Sequence, residues 1–445
     1  MSRRIPLVSS MLELIRAGNL KGFLARAERA EPADVGEVLA SLDEEQRLEV
    51  VQALPKRLSS KALVSMPDEA QAEETLVALG TEQAADILDE LPDDDAADIL
   101  GGLDPEDQAR ILSEVEDRAD VERLLKYERD TAGGLMTTQV VTVPDVATAG
   151  VAIEEVRRQR EEVPDFYEIF VADADRRLQG VLPLKDLVAS PVDRPVREFM
   201  QPPAHVVHPE VDQEEVAGLL SRYNLPAVPV VDAEMRLLGQ VTFDDVIHVV
   251  QEEGTEDLLR FGGVPGHEDL AAPWTQSVRS RLPWLYVNLA TAFLAGAVVY
   301  LFRDTVSHTV AIAVWMPIIA GMGGNAGTQA LAVTVRRLAL GHIPLGRSGQ
   351  VIGKEVMVGL ANGLANGVVV ALVAYLIGQG PTLGAVVFLA MAGNLLVAGF
   401  AGALIPILLE RFGIDPAIAS SIFVTTFTDV CGFLLLLGLA AKLLL

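Results

Sequence analysis

The pattern of hydrophobic positions changes character near residue 283. Beyond that point the chain consists of long apolar stretches separated by short polar segments. A helix needs roughly 20 apolar residues to cross the hydrocarbon core of a bilayer, and five of these stretches are long enough. We therefore predict an α-helical transmembrane bundle of five spans, at residues 283–302, 310–335, 351–378, 383–409 and 416–441.

Residues 43–115 instead repeat a short apolar pattern about every 12 residues. Most units begin with acidic residues, which are favourable in the first turn of a helix because of the helix dipole. They end at Leu-Pro, Leu-Gly or a similar helix stop. Stacked short helices bury their apolar faces against neighbouring units. We predict an all-α superhelical domain over residues 1–130.

One group of acids in this repeat is denser than helix starts require. Asp93, Asp94, Asp95 and Asp98 lie within six residues of one another. Acids at helix starts need no ligand, but crowded carboxylates repel one another, and a bound cation removes that cost. Two interpretations stay open for this group, namely helix capping and cation binding.

Residues 136–250 contain a second duplication. The segment Val171–Leu187 matches Val230–Val246 at a shift of 59 residues, and both carry an Asp-rich turn followed by Arg-Leu-x-Gly. Each copy predicts a strand, a turn, a second strand and a helix. The result is a tandem α+β pair that resembles a pair of CBS domains over residues 131–250. The acidic segment 251–282 has no strand pattern and predicts a connector helix.

The charge of the chain is divided as sharply as its hydropathy. The 445 residues carry a net charge of −27, and residues 1–282 hold 28 basic and 57 acidic side chains, whereas residues 283–445 hold seven and five. So few charges in the C-terminal part exclude a single soluble globule. We expect no nucleic-acid partner, since the acidic part would repel phosphate. A single cysteine, Cys431, excludes a disulfide framework.

Basic residues beside the predicted spans indicate the orientation in the membrane. Cytoplasmic flanks are enriched in Lys and Arg. If the N-terminal half is cytoplasmic, seven basic flank residues lie inside and only Arg303 and Lys442 lie outside. We therefore predict a multi-pass membrane protein, with the N-terminal half in the cytoplasm and the C-terminus outside.

Asp429 is the strongest candidate for chemistry in the membrane part. It lies 13 residues into the last predicted span, which places it roughly 20 Å deep at 1.5 Å per residue. An unpaired carboxylate is costly there, so it either faces water as a cation site or is protonated and bonded to a neighbouring helix. Thr425, Thr426 and Thr428 add hydroxyl oxygens, and oxygen ligands suit hard cations such as Mg²⁺ or Ca²⁺.

The second predicted span contains an irregular polar run from Pro317 to Gln329, with four glycines. Such a run weakens a helix in water. Within a membrane, irregular backbone is tolerated where it lines a cavity or is buried in protein. The run is therefore either a pore lining or a close helix contact.

The order of these parts and three local motifs resemble the MgtE family of bacterial magnesium channels and transporters. The motifs are Tyr127–Met136, Gly323–Gln329 and Thr428–Phe433. The resemblance implies a homodimer with a pore on the twofold axis, in which Asp429 binds hydrated Mg²⁺. It also implies that cytosolic Mg²⁺ closes the pore by binding between the helical domain, the CBS pair and the connector.

The resemblance assigns further residues to these roles. The pore-lining candidates are Gly324, Asn325, Gln329, Ser421, Thr425 and Thr428, and the cytosolic sensor candidates are Asp94, Asp95, Asp98, Asp212, Glu214, Asp245, Glu253, Glu256, Asp257 and Asp415. ATP binding at the CBS pair is implied for Tyr167, Lys185 and Asp186. The chain departs from the family pattern at Ser421, Thr425, Asn224, Leu225 and His248.

The leading functional hypothesis is thus a Mg²⁺-selective import channel that cytosolic Mg²⁺ closes. The alternative is a secondary transporter of divalent cations coupled to an ion gradient. An enzyme is not expected, because His308 and His342 are the only histidines of the membrane part and both lie near span ends.

Overall fold

The computed structural model describes residues 4–67, 69–116, 118–160, 163, 166–264, 266, 274–339, 343 and 348–444. The chain forms two compact units, Met1–Val250 and Gln251–Leu445.

The first unit opens with a run of short helices, as the 12-residue repeat predicts. They are α1 (Arg4–Arg16), α2 (Leu20–Ala27), α3 (Pro32–Ala40), α4 (Glu44–Ala53), α5 (Lys56–Val64), α6 (Glu69–Leu79), α7 (Thr81–Leu88), α8 (Asp93–Gly101), α9 (Pro105–Leu112) and α10 (Arg118–Leu124). The Asp43 carboxylate caps α4 by accepting a hydrogen bond from the Gln46 amide at 2.9 Å. Fully buried leucines recur once per helix at steps of 12 or 13 residues, at Leu63, Leu76, Leu88 and Leu100.

The α+β pair follows in the same unit. Its elements are α11 (Ala132–Leu135), β1 (Val141–Pro144), α12 (Ala149–Gln159), β2 (Ile169–Ala172), β3 (Leu178–Val181), α13 (Leu184–Ala189), α14 (Gln213–Tyr223), β4 (Ala227–Val231), β5 (Leu237–Thr242) and α15 (Phe243–Phe261), with a 3₁₀ turn at Val196–Glu198. Strand β2 pairs parallel to β1 and antiparallel to β3, and β4 pairs antiparallel to β5. The predicted strand–turn–strand–helix order is confirmed in both copies.

The two copies agree at atomic detail. In the first turn the Asp173 carboxylate accepts hydrogen bonds from the amides of Asp175 and Arg177, and Asp232 does the same in the second copy. The turns then join across the pseudo-twofold axis, because the Leu178 amide donates to the Met235 carbonyl at 2.9 Å. The equivalent bond in the other direction completes the pair, so the duplication in the sequence is a symmetry of the fold.

Two equivalent glycines bring the copies together. A Cβ atom on Gly239 would lie 2.4 Å from the Thr137 carbonyl oxygen and 3.1 Å from the Met136 sulfur. A Cβ atom on Gly180 would meet Gln201 and Met200 in the same way, at 2.8 and 3.1 Å. The segment before each copy's first strand therefore crosses a strand so closely that only glycine fits.

The second unit contains long helices. They are α16 (Trp274–Leu301), α17 (Arg303–His308), α18 (Ile312–Ala339), α19 (Ser348–Leu376), α20 (Gly380–Arg411) and α21 (Pro416–Leu443). Within the described residues, four helices are long and apolar enough to cross a membrane, namely α16, α19, α20 and the Ser421–Leu443 part of α21. Helix α18 has 28 residues, as many as α16, but its glycines, Asn325 and Gln329 make it more polar. Four predicted spans are therefore confirmed by length and hydropathy, and the span at 310–335 stays a prediction.

The second unit starts at Gln251, where the predicted connector segment 251–282 also starts, but one helix crosses each bound of that segment. Helix α15 does not begin in the connector but at Phe243, and it runs on without a break to Phe261. Helix α16 begins at Trp274 instead of residue 283 and contains Pro283 in its interior. A proline ends most helices in water, but membrane helices tolerate it because neighbouring groups satisfy the freed backbone.

Glycines allow close packing between helices of the bundle. A Cβ atom on Gly359 of α19 would lie 2.3 Å from the Leu395 carbonyl oxygen of α20, and one on Gly363 would lie 2.8 Å from that of Ala392. Helix α18 packs on α20 and α21. These contacts fix the helix faces on which the membrane site lies.

Candidate cation sites

The candidate pore residues of α21 share one face of the helix. Ser421, Thr425 and Asp429 are spaced by four residues, which aligns their side chains along the axis, and all three are half-buried. The Thr425 hydroxyl donates to the Ser421 carbonyl at 2.8 Å, and the buried Thr428 hydroxyl donates to the Thr425 carbonyl at 2.9 Å. Because its hydroxyl proton is used within the helix, the Thr425 oxygen is left as an acceptor, whereas the predicted pore-lining residue Thr428 is fully buried. This stripe can offer oxygen ligands to a hydrated cation.

The glycine run of α18 packs beside this stripe. A Cβ atom on Gly324 would lie 3.6 Å from the Thr425 methyl group, and one on Gly327 would lie 2.5 Å from Cγ1 of Val424. Gly324 thus lies next to the α21 stripe, whereas Gly327 is needed for the close contact between the two helices.

Asn325 and Gln329 do not lie on the α21 stripe. They line a cavity of about 620 Å³ between α18, α19 and α20. Asn362 and Asn366 of α19 and Leu395 of α20 also line it. The predicted pore-lining residues therefore divide into a group at the Thr425 stripe and a group of carboxamides on this cavity.

Asn394 of α20 is a buried polar residue that the sequence reasoning missed. Its side chain is fully buried, and its Nδ2 donates to the Ile319 carbonyl of α18 at 2.9 Å. The same amide presses on Gly323 of α18 and Gly432 of α21, where an added Cβ would lie 2.2 and 2.8 Å from Nδ2. A lone asparagine in the middle of an apolar span is the signal that points to it. Asn394 joins three helices one turn from Asp429.

In the first unit, Asp93 joins the helical domain to the α+β pair. Its Oδ1 accepts from the Thr137 hydroxyl at 2.6 Å, and its Oδ2 accepts from the Thr138 amide at 3.0 Å and from the Thr138 hydroxyl. The side chain is buried. Asp93, which the sequence grouped with its neighbours, is therefore a structural acceptor, and it brings the start of α8 close to the start of α15.

Asp94, Asp95 and Asp245 come together at this junction of two helix starts. Burial, followed by repulsion from Asp95 and Asp245, raises the pKa of Asp94 well above its usual range. Burial and repulsion from Asp245 raise the pKa of Asp95 to about 7. Burial also raises the pKa of Asp245, although hydrogen bonds from Thr242 oppose the shift. These carboxylates destabilise one another when ionised.

The cluster is not a preformed metal cage. Among the described residues, no group of three or more His, Cys, Asp or Glu side chains is arranged to hold a metal ion, and Asp94 Oδ1 has no hydrogen-bond partner there. A cation bound through its water ligands needs no such direct arrangement, and Mg²⁺ keeps several waters in most sites.

Other sensor candidates have structural partners. Asp98 accepts from Arg129 at 2.7 Å, and Asp212 caps α14 by accepting from the Glu214 amide at 2.8 Å. Glu253 lies on α15, and the side chain of Asp257 lies outside the described residues. Asp98 and Asp212 thus have a local role whether or not a cation binds.

Glu256 and Asp415, both in the second unit, share one arginine. Arg260 forms ion pairs with the Glu256 carboxylate on the same helix and with the Asp415 carboxylate, 155 residues away. The sequence reasoning identified the two acids and missed the basic partner between them.

The nucleotide candidates lie in and beside the first α+β copy. Tyr167 is exposed, and Lys185 and Asp186 stand in the first turn of α13. The Asp186 carboxylate accepts from the Gln201 amide group at 3.0 Å. Leu225 is partly buried against the hydrophobic core of the unit.

Family models match most of the chain. The model described as MgtE, divalent cation transporter, matches residues 316–439. The model described as the MgtE intracellular N domain matches 30–130, and the CBS domain matches 132–193 and 196–252.

Curated relatives and solved structures agree with these models. The magnesium transporter MgtE of Thermus thermophilus is 34% identical over 448 residues, 98% of each chain. That of Enterococcus faecalis is 35% identical over 73% of this chain and 72% of its own. The crystal structure of the cytosolic domain of the Mg²⁺ channel MgtE in complex with ATP is 35% identical, with a TM-score of 0.51, and covers 54% of this chain and 99% of that one. The soluble part of a magnesium transporter has the same TM-score at 29% identity, covering 56% and 99%. The chain, with its paired CBS domains and apolar helices, belongs to the MgtE family of magnesium transporters.

Proposed function

We propose that the protein is a Mg²⁺-selective channel that imports Mg²⁺ across the bacterial cytoplasmic membrane. The observation that carries this proposal is the α21 stripe of Ser421, Thr425 and Asp429 beside the glycine run of α18. A single deep carboxylate with hydroxyl acceptors in line suits a hydrated hard cation, because water ligands span the distances that the protein oxygens leave. In this proposal all five long helices, α18 included, cross the membrane.

A homodimer completes the pore in this proposal. Asn325, Gln329 and Asn362 are exposed on the surface of a single chain, although they lie within helices that the proposal places in the bilayer. Carboxamides facing hydrocarbon are costly, so a second copy or water must cover them. A twofold axis beside α21 would bring two Asp429 carboxylates to one ion.

The Asp94, Asp95 and Asp245 cluster supports closure by cytosolic Mg²⁺. A divalent cation removes the repulsion between these carboxylates and favours the arrangement in which α8 and α15 are close. If the closed state has that arrangement, rising Mg²⁺ shifts the population towards it. Mg²⁺ is then both substrate and regulator. ATP at the CBS pair, near Tyr167, Lys185 and Asp186, is a further proposal that the ATP complex of the similar cytosolic domain supports.

The test is Mg²⁺ uptake into proteoliposomes by Asp429→Asn. The variant keeps the shape of the side chain and removes its charge, so we expect uptake to fall at least about tenfold, which corresponds to a loss of 1.4 kcal/mol or more. Asp304→Asn is the matched control, because Asp304 is an exposed acid of the same unit. Uptake by Asp429→Asn equal to that of the control would contradict the proposal.

A further inference from the structure

One arginine joins the C-terminal part of α15, here called the connector helix, to the long helices of the second unit. On α15, Glu256 and Arg260 are four residues apart and share a face. The Arg260 guanidinium binds the Glu256 carboxylate with Nη2 and donates from Nη1 to the Asp415 carboxylate. Asp415 immediately precedes Pro416, the first residue of α21. The side chain of Arg260 therefore links the connector directly to the start of the helix that carries Asp429.

This ion-pair triad is shielded from solvent. The side chains of Glu256, Arg260 and Asp415 are 12%, 23% and 31% exposed. Partly buried pairs are screened by salt much less than surface pairs. The planar guanidinium can also bind two carboxylates at once with its separate N–H groups. Two acids that the sequence assigned to Mg²⁺ thus already share a cation that belongs to the chain.

The next residue, Phe261, adds an apolar contact between α15 and the long helices. It packs against a buried cluster of Leu331 and Val335 from α18 and Val424 from α21, with Ile405 of α20 at its edge. Val424 precedes Thr425 of the candidate pore stripe and also limits the space at Gly327. A displacement of Phe261 would therefore change the packing between the two helices that form the stripe.

We propose that Arg260 is a built-in cation that holds the connector helix on the bundle without Mg²⁺, with Phe261 as its apolar anchor. Arg260 is a positioning residue, which acts on the pore through Asp415 and Val424. The inference rests on the proposed function and revises it at one place, since Glu256 and Asp415 do not require metal in this chain. Mg²⁺ sensing then depends on the Asp94, Asp95 and Asp245 cluster, where acids repel one another.

Amide hydrogen exchange of the segment 251–261 tests the proposal in the full-length protein in lipid nanodiscs. Exchange is compared in EDTA and in millimolar Mg²⁺ for the wild type, Arg260→Gln and Arg411→Gln. Arg411 is an exposed arginine at the end of α20 and serves as the matched control. The wild type and the control should be protected in EDTA, with little further effect of Mg²⁺. In Arg260→Gln, exchange in EDTA should be faster by about tenfold or more, and Mg²⁺ should slow it by occupying the vacated carboxylate pair.

A wild-type segment that exchanges fast in EDTA and is protected only by Mg²⁺ would overturn the proposal, as would equal exchange in Arg260→Gln and the wild type. If Arg260→Gln does not assemble, the exchange of charges in Arg260→Glu with Asp415→Arg provides the test. Protection regained in that double variant, relative to either single variant, supports the pair, and no recovery contradicts it. Hydrogen exchange measures the protection of residues 251–261 without any ion flux. Its result is therefore independent of the Asp429→Asn uptake experiment, and the two proposals can fail separately.

Discussion

The raised pKa of Asp95 predicts that replacing this acid stabilises the first unit at neutral and alkaline pH. In the folded unit the pKa is about 7, whereas an unfolded chain has the ordinary value of about 3.9. Below about pH 4 the carboxyl is protonated in both states and costs nothing. Between about pH 4 and 7 the unfolded chain ionises first, so folding becomes progressively less favourable, and above about pH 7 the full cost is present.

The magnitude follows from the same pair of values. At about 1.4 kcal/mol per pH unit, the difference of about 3 units corresponds to at most about 4 kcal/mol. Asp95 is partly exposed, so solvent screening lowers this figure, and we expect Asp95→Asn to gain roughly 1–3 kcal/mol at pH 8 in EDTA. The gain should disappear near pH 4. Mg²⁺ should stabilise the wild type more than the variant, because binding to the folded state is linked to stability.

Urea unfolding of a fragment of residues 1–250 at several pH values measures this effect. The similar soluble parts were solved without a membrane domain, which makes the fragment suitable. Glu106→Gln is the matched control, because Glu106 also stands in the first turn of a helix but is exposed. Glu106→Gln should lower the free energy of unfolding only slightly, because it removes a favourable contact between the acid and the helix dipole. An Asp95→Asn fragment that is less stable than the wild type at pH 8, or whose stability has the same pH dependence, would refute the reasoning.

Two further predictions concern packing. Asn394→Ala removes the hydrogen bond to the Ile319 carbonyl and leaves a cavity. It should lower the free energy of unfolding of the full-length protein in detergent by roughly 1–3 kcal/mol, seen as a lower unfolding temperature. An unchanged unfolding temperature would argue against the three-helix contact. Gly239→Ala, whose Cβ would press on the Thr137 carbonyl, should destabilise the 1–250 fragment in urea by about 1–3 kcal/mol, whereas Gly218→Ala, in open space on α14, should stabilise it by about 0.5–1 kcal/mol. Equal effects of the two glycine variants would contradict the proposed close crossing.

Patterns that repeat along the chain predicted most of the fold. The 12-residue repeat anticipated the buried leucines from Leu63 to Leu100, and the 59-residue shift anticipated the two α+β copies. Both are local signals, because each unit contains the apolar residues and the turn that define it. Hydropathy likewise predicted five long helices, and four of them are long and apolar enough to cross a membrane, whereas its glycines, Asn325 and Gln329 make α18 more polar.

The site was predicted less completely, because its main contacts join distant segments. The sequence indicated Asp429 from its depth and Asp94, Asp95 and Asp245 from local charge or resemblance. It did not indicate that Asp93 is held by Thr137 and Thr138, or that Arg260 lies between Glu256 and Asp415. Helix α16 begins at Trp274, before the apolar stretch that starts near residue 283, because hydropathy marks the part that can lie in hydrocarbon and not the ends of the helix.

Single-channel recording in a planar bilayer is the most direct test of a Mg²⁺ channel that cytosolic Mg²⁺ closes. With Mg²⁺ as the only permeant cation and no Na⁺ or H⁺ gradient, we predict unitary currents that vanish as Mg²⁺ on the side of the N-terminal half is raised to millimolar levels. Transport that requires a Na⁺ or H⁺ gradient, or currents that do not respond to Mg²⁺ on that side, would contradict the account.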